Sequence, residues 1–314
     1  GGIKVNWISK IKKLGESIKQ NINKKFPSKS ERENSAWTSC HNTPVLKKDL
    51  EENLFVCPTC NHHHRISPVQ RFGMLFDSGN YKIIKTPIVK DDPLSWTDTK
   101  SYKVRLKEAR KKTNQDCAIL VASGKINGID TTVAASNFDF IGGSLGASET
   151  EAIIYAVDYS IKNSQPFVNV CASGGARMYE SLIALSGMTK VTLAINELRS
   201  NGLPYFVIYS HPVAGGVSAS MAMIGDLQIS EPNCLIAFSG RRVVQATVKE
   251  ELPPDFQTAE FCLKHGMIDR ITERKNLAKE IGILLSILLK KNSEVSSENN
   301  EQASELSIQT REAS

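Results

Sequence analysis

Cys171-Ala172-Ser173-Gly174-Gly175-Ala176-Arg177-Met178 is the stretch that decides how this chain folds. The apolar run Pro166-Phe-Val-Asn-Val-Cys171 leads into it and is read as a buried strand. Met178, Leu182, Ile183, Leu185, Met188, Val191, Ile195 and Leu198 follow at helical spacing and are read as a helix. A strand that turns into a helix through Ser-Gly-Gly places bare backbone N–H groups at a positive helix terminus. That is a site for an anion or a developing oxyanion. Two glycines also admit a carbonyl close to the main chain.

The pattern recurs once. Asn163, Pro166 and Phe167 are echoed by Asn201, Pro204 and Tyr205, each 38 positions later. The second strand runs to His211-Pro-Val-Ala-Gly215-Gly216-Val-Ser-Ala-Ser220, again a Gly-Gly that opens a helix. A tandem strand/Gly-Gly/helix unit predicts both turns on one edge of a sheet. The plain alternative is that the glycines serve only as tight turns. Two matched pairs favour a shared site, with two N–H donors converging on one oxygen.

Composition bounds the rest. A chain of 314 residues suits one large domain with attachments, or two domains. Its 40% apolar and 23% charged residues are ordinary for a globular protein. No apolar run approaches the roughly 18–20 residues of a membrane span. No secretory signal is recognised, and seven cysteines, an odd number, argue for a reducing compartment. The chain begins Gly-Gly without Met, so its natural start is expected upstream. The net charge of +6 is concentrated at the N-terminus. Residues 1–32 hold nine Lys/Arg and two Glu, so the remainder sums to −1. That body gives no electrostatic case for a nucleic-acid enzyme.

Along the chain, residues 1–35 are read as a basic leader and linker. Trp7, Ile8, Ile11, Leu14, Ile18 and Ile22 form an amphipathic helical pattern with lysines between them. Docking on protein is the first reading of it; a membrane-surface helix and a plastid-type transit segment are the others. Residues 36–66 are read as a zinc-ribbon-like module. Cys57-Pro-Thr-Cys60 is one knuckle, and Cys40 lies upstream at ribbon spacing. The first knuckle is incomplete, since Cys40-His-Asn-Thr43 offers one thiolate. His41 is the nearest fourth ligand, with His62, His63 or His64 as alternatives and a metal-free, packed relic as the opposing reading. Residues 67–290 are read as one α/β domain and residues 291–314 as a disordered polar tail. Within the domain, Phe138 to Gly146 carries a third Gly-Gly, Gly142-Gly143. It is read as a tight crossing or a contact for a pantetheine or phosphate arm. The chain has neither a G-x-x-x-x-G-K-[ST] nor a G-x-S-x-G motif, so it has no P-loop and no nucleophile elbow.

From Trp37 to Leu289 the chain resembles the carboxyltransferase β subunits of bacterial and plastid acetyl-CoA carboxylase. The residues that carry this are Trp37-Thr-Ser-Cys40, Lys48 to Leu54, Val56 to Cys60 and Phe140 to Ser144. They continue with Ala172 to Met178, Gly215 to Ser220, Gly225-Asp226, Glu231-Pro232 and Leu252-Pro253. The resemblance implies a crotonase-like spiral of ββα units behind an N-terminal zinc ribbon. It implies transfer of the carboxyl group from carboxybiotin, on a biotin carboxyl carrier protein, to acetyl-CoA, giving malonyl-CoA. Implied partners are a carboxyltransferase α subunit in an α2β2 assembly, the carrier protein and a biotin carboxylase that spends the ATP. The implied location is bacterial cytoplasm, or plastid stroma. In the family the biotin ureido nitrogen is proposed to take the α-proton. On this resemblance the enolate oxygen is expected between a donor at Gly174 or Gly175 and one at Gly215 or Gly216. Ser173, Arg177, Gly142 and Gly143 are expected at the cofactor, with Arg177 either on a CoA phosphate or paired with an acid such as Glu180. Cys40, Cys57, Cys60 and His41 are the expected zinc ligands. Departures stand at Gln245 and Ala246, where the family has Glu and Gln, and at Thr150, where Gly is common. Other readings are a carboxyltransferase for another acyl-CoA, such as propionyl-CoA, and a nucleic-acid-binding ribbon protein with a vestigial enzyme fold.

Overall fold

The repeat noted above is a pair of lateral neighbours. In the computed structural model, which describes residues 36–290 except Ile88, Phe167 pairs with Tyr205 across two parallel strands. Their rings stack at 5.4 Å between centroids. Equal spacing in sequence became equal height in the sheet. The expected leader and the polar tail lie outside the described residues.

The chain forms two compact units, one ending at His62 and the other beginning at His63. In the first, β1 (Trp37–Cys40) and β2 (Thr43–Leu46) make an antiparallel hairpin followed by α1 (Lys47–Glu52). Its core is Cys40, Val45, Leu50 and Cys57, with Phe55 against them. Two of those four residues are thiols, so apolar burial alone is too little to hold the unit.

The second unit is built on one mixed sheet. Helix α2 (Pro68–Leu75) starts at a capping box: Ser67 Oγ accepts the Gln70 N–H, and Gln70 Oε1 accepts the Ser67 N–H. Strand β3 (Tyr81–Ile84) follows, then α3 (Tyr102–Thr113), β4 (Ile119–Ile126) and β5 (Ile129–Ser136). The β4–β5 hairpin turns at Asn127-Gly128, both at positive φ, with both N–H groups on the Asp77 carboxylate. Next come α4 (Ala147–Lys162), β6 (Phe167–Ser173), α5 (Leu182–Ser200) and β7 (Tyr205–Ala214). The unit closes with β8 (Leu227–Ser230), β9 (Ile236–Ala237), α6 (Arg241–Val248), α7 (Ala259–Lys264), β10 (Arg270–Ile271) and α8 (Leu277–Leu288). The order is β10-β8-β7-β6-β5-β4-β3, and β9 pairs with the far end of β7. From β5 onward all pairs are parallel. Buried side chains of β5, β6 and β7 alternate between two cores, one on the α4/α5 side and one on the α2/α8 side.

Two expectations need correcting. The helix does not begin directly after Gly175: a single 3-10 turn, Met178–Glu180, intervenes, and α5 starts at Leu182. Met178, at 75% exposed, and Leu182, at 71%, therefore lie outside the core stripe that their spacing promised. The second Gly-Gly opens a five-residue π turn, Ser218–Ala222, rather than an α-helix. Strand β3 lies in a stretch without a marked strand pattern, and β9 is only two residues long.

One buried ion cluster ties α2 to the segments that follow β8 and β10. The Glu231 carboxylate accepts from Arg71 Nη1 at 2.7 Å, Arg274 Nε at 2.7 Å and Ser210 Oγ at 3.0 Å. Burial would raise the Glu231 pKa, but the Arg71 and Arg274 guanidiniums outweigh it and hold the carboxyl well below the usual range. A depressed folded-state pKa gives stability that is fully present above the unfolded value of roughly 4.3 and is lost as pH falls below it. The urea midpoint is expected to fall between about pH 5 and pH 3. Glu231→Gln should be less stable at neutral pH and lose less over that interval. An equal acid decline in both proteins would count against this origin.

Candidate active site and metal centre

The two Gly-Gly turns meet at the C-terminal ends of β6 and β7. Up to Cys171 opposite Tyr209 the strands keep the 38-residue offset; a bulge then sets Ser173 opposite Val213. The shift of two residues brings Gly174 and Gly175 level with Ala214 and Gly215. The contact is close. A Cβ on Gly175 would lie 3.3 Å from Ala214 O, Gly215 Cα and Gly216 N. Gly175 also has φ +118°, a conformation open to glycine. The third turn supports the first: Gly174 N–H donates to Gly142 O at 2.9 Å. Gly143 has φ +63°, and a Cβ there would lie 2.1 Å from Ala172 O, so this crossing requires glycine.

The available donors differ from those expected. Gly174 N–H is taken by Gly142, Gly175 N–H by Ser173 Oγ at 3.1 Å, and Gly215 N–H by Ala237 O at 3.0 Å. Among the described residues, no acceptor lies within hydrogen-bond reach of Ala176 N–H or Gly216 N–H. A Cβ on Gly216 would sit 3.4 Å from Ala176 Cβ, so the two residues are neighbours. Of the four expected glycines only Gly216 keeps its N–H unbonded among the described residues, as does Ala176 beside the first pair, while the N–H groups of Gly174, Gly175 and Gly215 are bonded within the turns.

Two expected cofactor residues are withdrawn from direct contact. Ser173 is 1% exposed and its hydroxyl is spent inside the turn. Arg177 is 2% exposed and takes the pairing that the sequence left open. Its Nη2 donates to Glu149 Oε1 at 2.7 Å, its Nη1 to Tyr102 OH at 3.1 Å and its Nε to Ser144 Oγ at 3.0 Å. Glu180 Oε1 lies 3.6 Å from Nη1 and accepts from Tyr102 OH. Burial works against the Arg177 charge, but Glu149 and Tyr102 more than offset it and keep the guanidinium protonated. Arg177 is therefore a clamp that joins α3, α4 and the turn after β6. Thr150, the departure noted above, fills the gap over Gly187, where a Cβ would meet Thr150 Oγ1 at 2.6 Å.

In the first unit, the sulfurs of Cys40, Cys57 and Cys60 lie within 4.8 Å of one another. Cys40 Sγ is 3.5 Å from Cys60 Sγ, and His41 Nδ1 is 3.6 Å and 3.5 Å from those two sulfurs. Tetrahedral zinc, with Zn–S of about 2.3 Å and Zn–N of about 2.0 Å, needs S–S edges of about 3.8 Å and S–N edges of about 3.5 Å. The cluster fits those edges, with His41 against two of the three sulfurs. Burial pushes the Cys40 thiol up to about 12. Burial would raise Cys57 too, but the N–H groups of Cys60 and Thr59 outweigh it and bring Cys57 down to about 7. Three thiolates this close together repel one another, and a bound cation would offset that charge.

Two glycine turns thus meet at the C-terminal ends of parallel strands, and Ala176 and Gly216 lie side by side there with their N–H groups unbonded among the described residues. A family model described as the carboxyl transferase domain matches residues 91–309. The acetyl-coenzyme A carboxylase carboxyl transferase subunit beta of Pelagibacter ubique (strain HTCC1062) is 55% identical over 99% of this chain and 100% of its own. The protein of that name from Gluconacetobacter diazotrophicus is 45% identical over 83% of this chain and 87% of its own. Among solved structures, transcarboxylase 12S with hydrolyzed methylmalonyl-coenzyme A bound matches with TM-score 0.57 and 23% identity. That match covers 71% of this chain and 41% of the transcarboxylase chain. A Pseudomonas malonate decarboxylase hetero-tetramer in complex with malonate matches with TM-score 0.56 and 17% identity, over 76% and 89%. These two structures share the crotonase-like fold with this chain. The chain belongs to the carboxyl transferase family, among the acetyl-CoA carboxylase carboxyl transferase β subunits. Among the described residues no helix is long and apolar enough to cross a membrane.

Proposed function

We propose that this chain is one half of a split carboxyltransferase that moves the carboxyl group of carboxybiotin, held on a carrier protein, to acetyl-CoA, giving malonyl-CoA. The observation that carries the reading is the convergence of the Gly175 and Gly216 turns in a chain aligned end to end with a β subunit of that name. Carboxylation at the α-carbon of a thioester passes through an enolate whose charge sits on the thioester oxygen. Ala176 N–H and Gly216 N–H are the groups assigned to that oxygen. Each such donor is worth about 10²–10³ in rate. Carboxybiotin would release its carboxyl group as CO2, and the freed ureido nitrogen would take the α-proton, so the protein's part is to hold, orient and stabilise. Gly142 acts here through its carbonyl on Gly174. The acetyl-CoA assignment over another acyl-CoA rests on the full-length relatives. The partner chain is an α subunit in an α2β2 assembly that also receives the carrier protein.

The experiment is malonyl-CoA formation from carboxybiotin by the purified chain, with and without the α subunit. Formation only with both chains is the expected result; none with a correctly assembled pair would overturn the reading.

Zinc is assigned to Cys40, Cys57 and Cys60, with His41 as the fourth ligand and a structural role. The expected zinc content is one per chain, from four ligands at one centre. Cys57→Ser should release the metal and unfold the first unit while the second keeps its thermal transition. A variant that keeps its zinc and its fold would show that packing, not metal, holds the ribbon.

A further inference from the structure

We infer that His211 is a positioning residue for the oxyanion site, acting through the amide of Leu235. The inference rests on the functional reading above for its kinetic arm only. His211 lies on β7, just before the Gly215 turn. Its Nδ1 accepts the Leu235 N–H at 3.1 Å. A donor aimed at Nδ1 needs a lone pair there, so the neutral ring carries its proton on Nε2.

The bond matters because of what Leu235 begins. It enters β9, which is only two residues long and is held by few ladder bonds. Leu235 O accepts Val213 N–H at 2.8 Å, and Ile236 N–H donates to Gln257 O at 2.9 Å. At its other end β9 shapes the site: Ala237 O accepts from Gly215 N–H at 3.0 Å and from Ser218 Oγ at 2.7 Å. Those two bonds fix the orientation of Gly215 and hence the aim of Gly216 N–H. His211 sets the entry of β9, and β9 sets the turn. Without an acceptor at Nδ1 the half-buried Leu235 N–H loses its partner, and the short strand can slip. A donor misplaced by about 1 Å loses much of its catalytic worth while substrate binding is kept.

Asparagine is the diagnostic replacement. Its Oδ1 stands where Nδ1 stands in the ring, and it accepts. The test compares the full chain with its His211→Ala and His211→Asn variants, reconstituted with the partner chain, for kcat and KM of acetyl-CoA. Amide exchange at Leu235 and Gly215 is read on the same proteins. His211→Ala should lower kcat by about tenfold to a hundredfold with KM within about twofold. It should lose amide protection at both positions. His211→Asn should restore kcat to within about threefold and keep the protection. An unchanged kcat in His211→Ala, or a His211→Asn as slow as His211→Ala, overturns the inference. If His211→Ala does not fold, a folded His211→Asn with collapsed kcat overturns it, and one with near-normal kcat supports it. If the unmodified assembly transfers no carboxyl group, the functional reading fails by itself. The exchange arm then decides, and equal protection in all three proteins overturns the positioning role.

Discussion

Arg177→Met is expected to cost the second unit about 3–5 kcal/mol, the penalty for leaving a buried charge without its partner. The arginine is enclosed, and so are the acids it serves: Glu149 is 0% and Glu180 is 4% exposed. Glu149 also accepts from Ala118 N–H at 2.9 Å and Gly146 N–H at 2.9 Å, and Glu180 from Ala147 N–H at 2.6 Å. Both carboxylates hold backbone amides at the entry to α4, so neither can swing out to water without breaking the fold there. Methionine fills the volume and removes the charge. For a unit of this size the melting temperature should fall by roughly 10 °C. The measurement is urea unfolding at neutral pH. A loss under about 1 kcal/mol would contradict the clamp, since it is what an exposed ion pair gives. The folded fraction should keep its KM for acetyl-CoA, because Arg177 does not reach out of the protein. A large rise in KM without loss of stability would restore the phosphate-binding role.

What the sequence disclosed and what it hid divide along one physical line. Features fixed by neighbours in the chain were legible. The strand before Ser173 and the knuckle at Cys57 and Cys60 each depend on residues a few positions apart. The 38-residue repeat was legible because parallel strands with equal crossovers align equal positions. Features set by distant partners were not. The bulge between Cys171 and Ser173 is a property of two paired strands. It decides which residues of the two turns lie level with one another. Arg177 finds Tyr102 across 75 positions, and Leu235 finds His211 across 24. No local pattern marks either pair. The family resemblance supplied the chemistry from Gly-Gly motifs, yet it assigned donors to the glycines themselves. Among the described residues the N–H left unbonded beside Gly174 and Gly175 belongs to Ala176.

Gly175→Ala is expected to give the largest catalytic loss, about 10²–10³ in kcat/KM, because it acts on both donors at once. Two independent constraints meet at this residue. Its φ of +118° is strained for any residue with a Cβ. Its Cβ would also press at 3.3 Å on Ala214 O, Gly215 Cα and Gly216 N, all main-chain atoms that cannot rotate aside as a side chain can. Relief therefore comes by parting the two turns, which separates Ala176 N–H from Gly216 N–H. Gly216→Ala offers the control. There the Cβ would meet Met188 Sδ at 2.6 Å, the flexible part of a side chain on α5. Adding Met188→Ala should recover most of the activity that Gly216→Ala loses, whereas Met188→Ala should do nothing for Gly175→Ala. The measurement is kcat/KM for the four variants, with melting temperatures to separate activity from folding. If Gly175→Ala kept activity within about threefold of the unaltered chain, the site would not depend on the meeting of the two turns, and a single donor would have to carry the oxyanion.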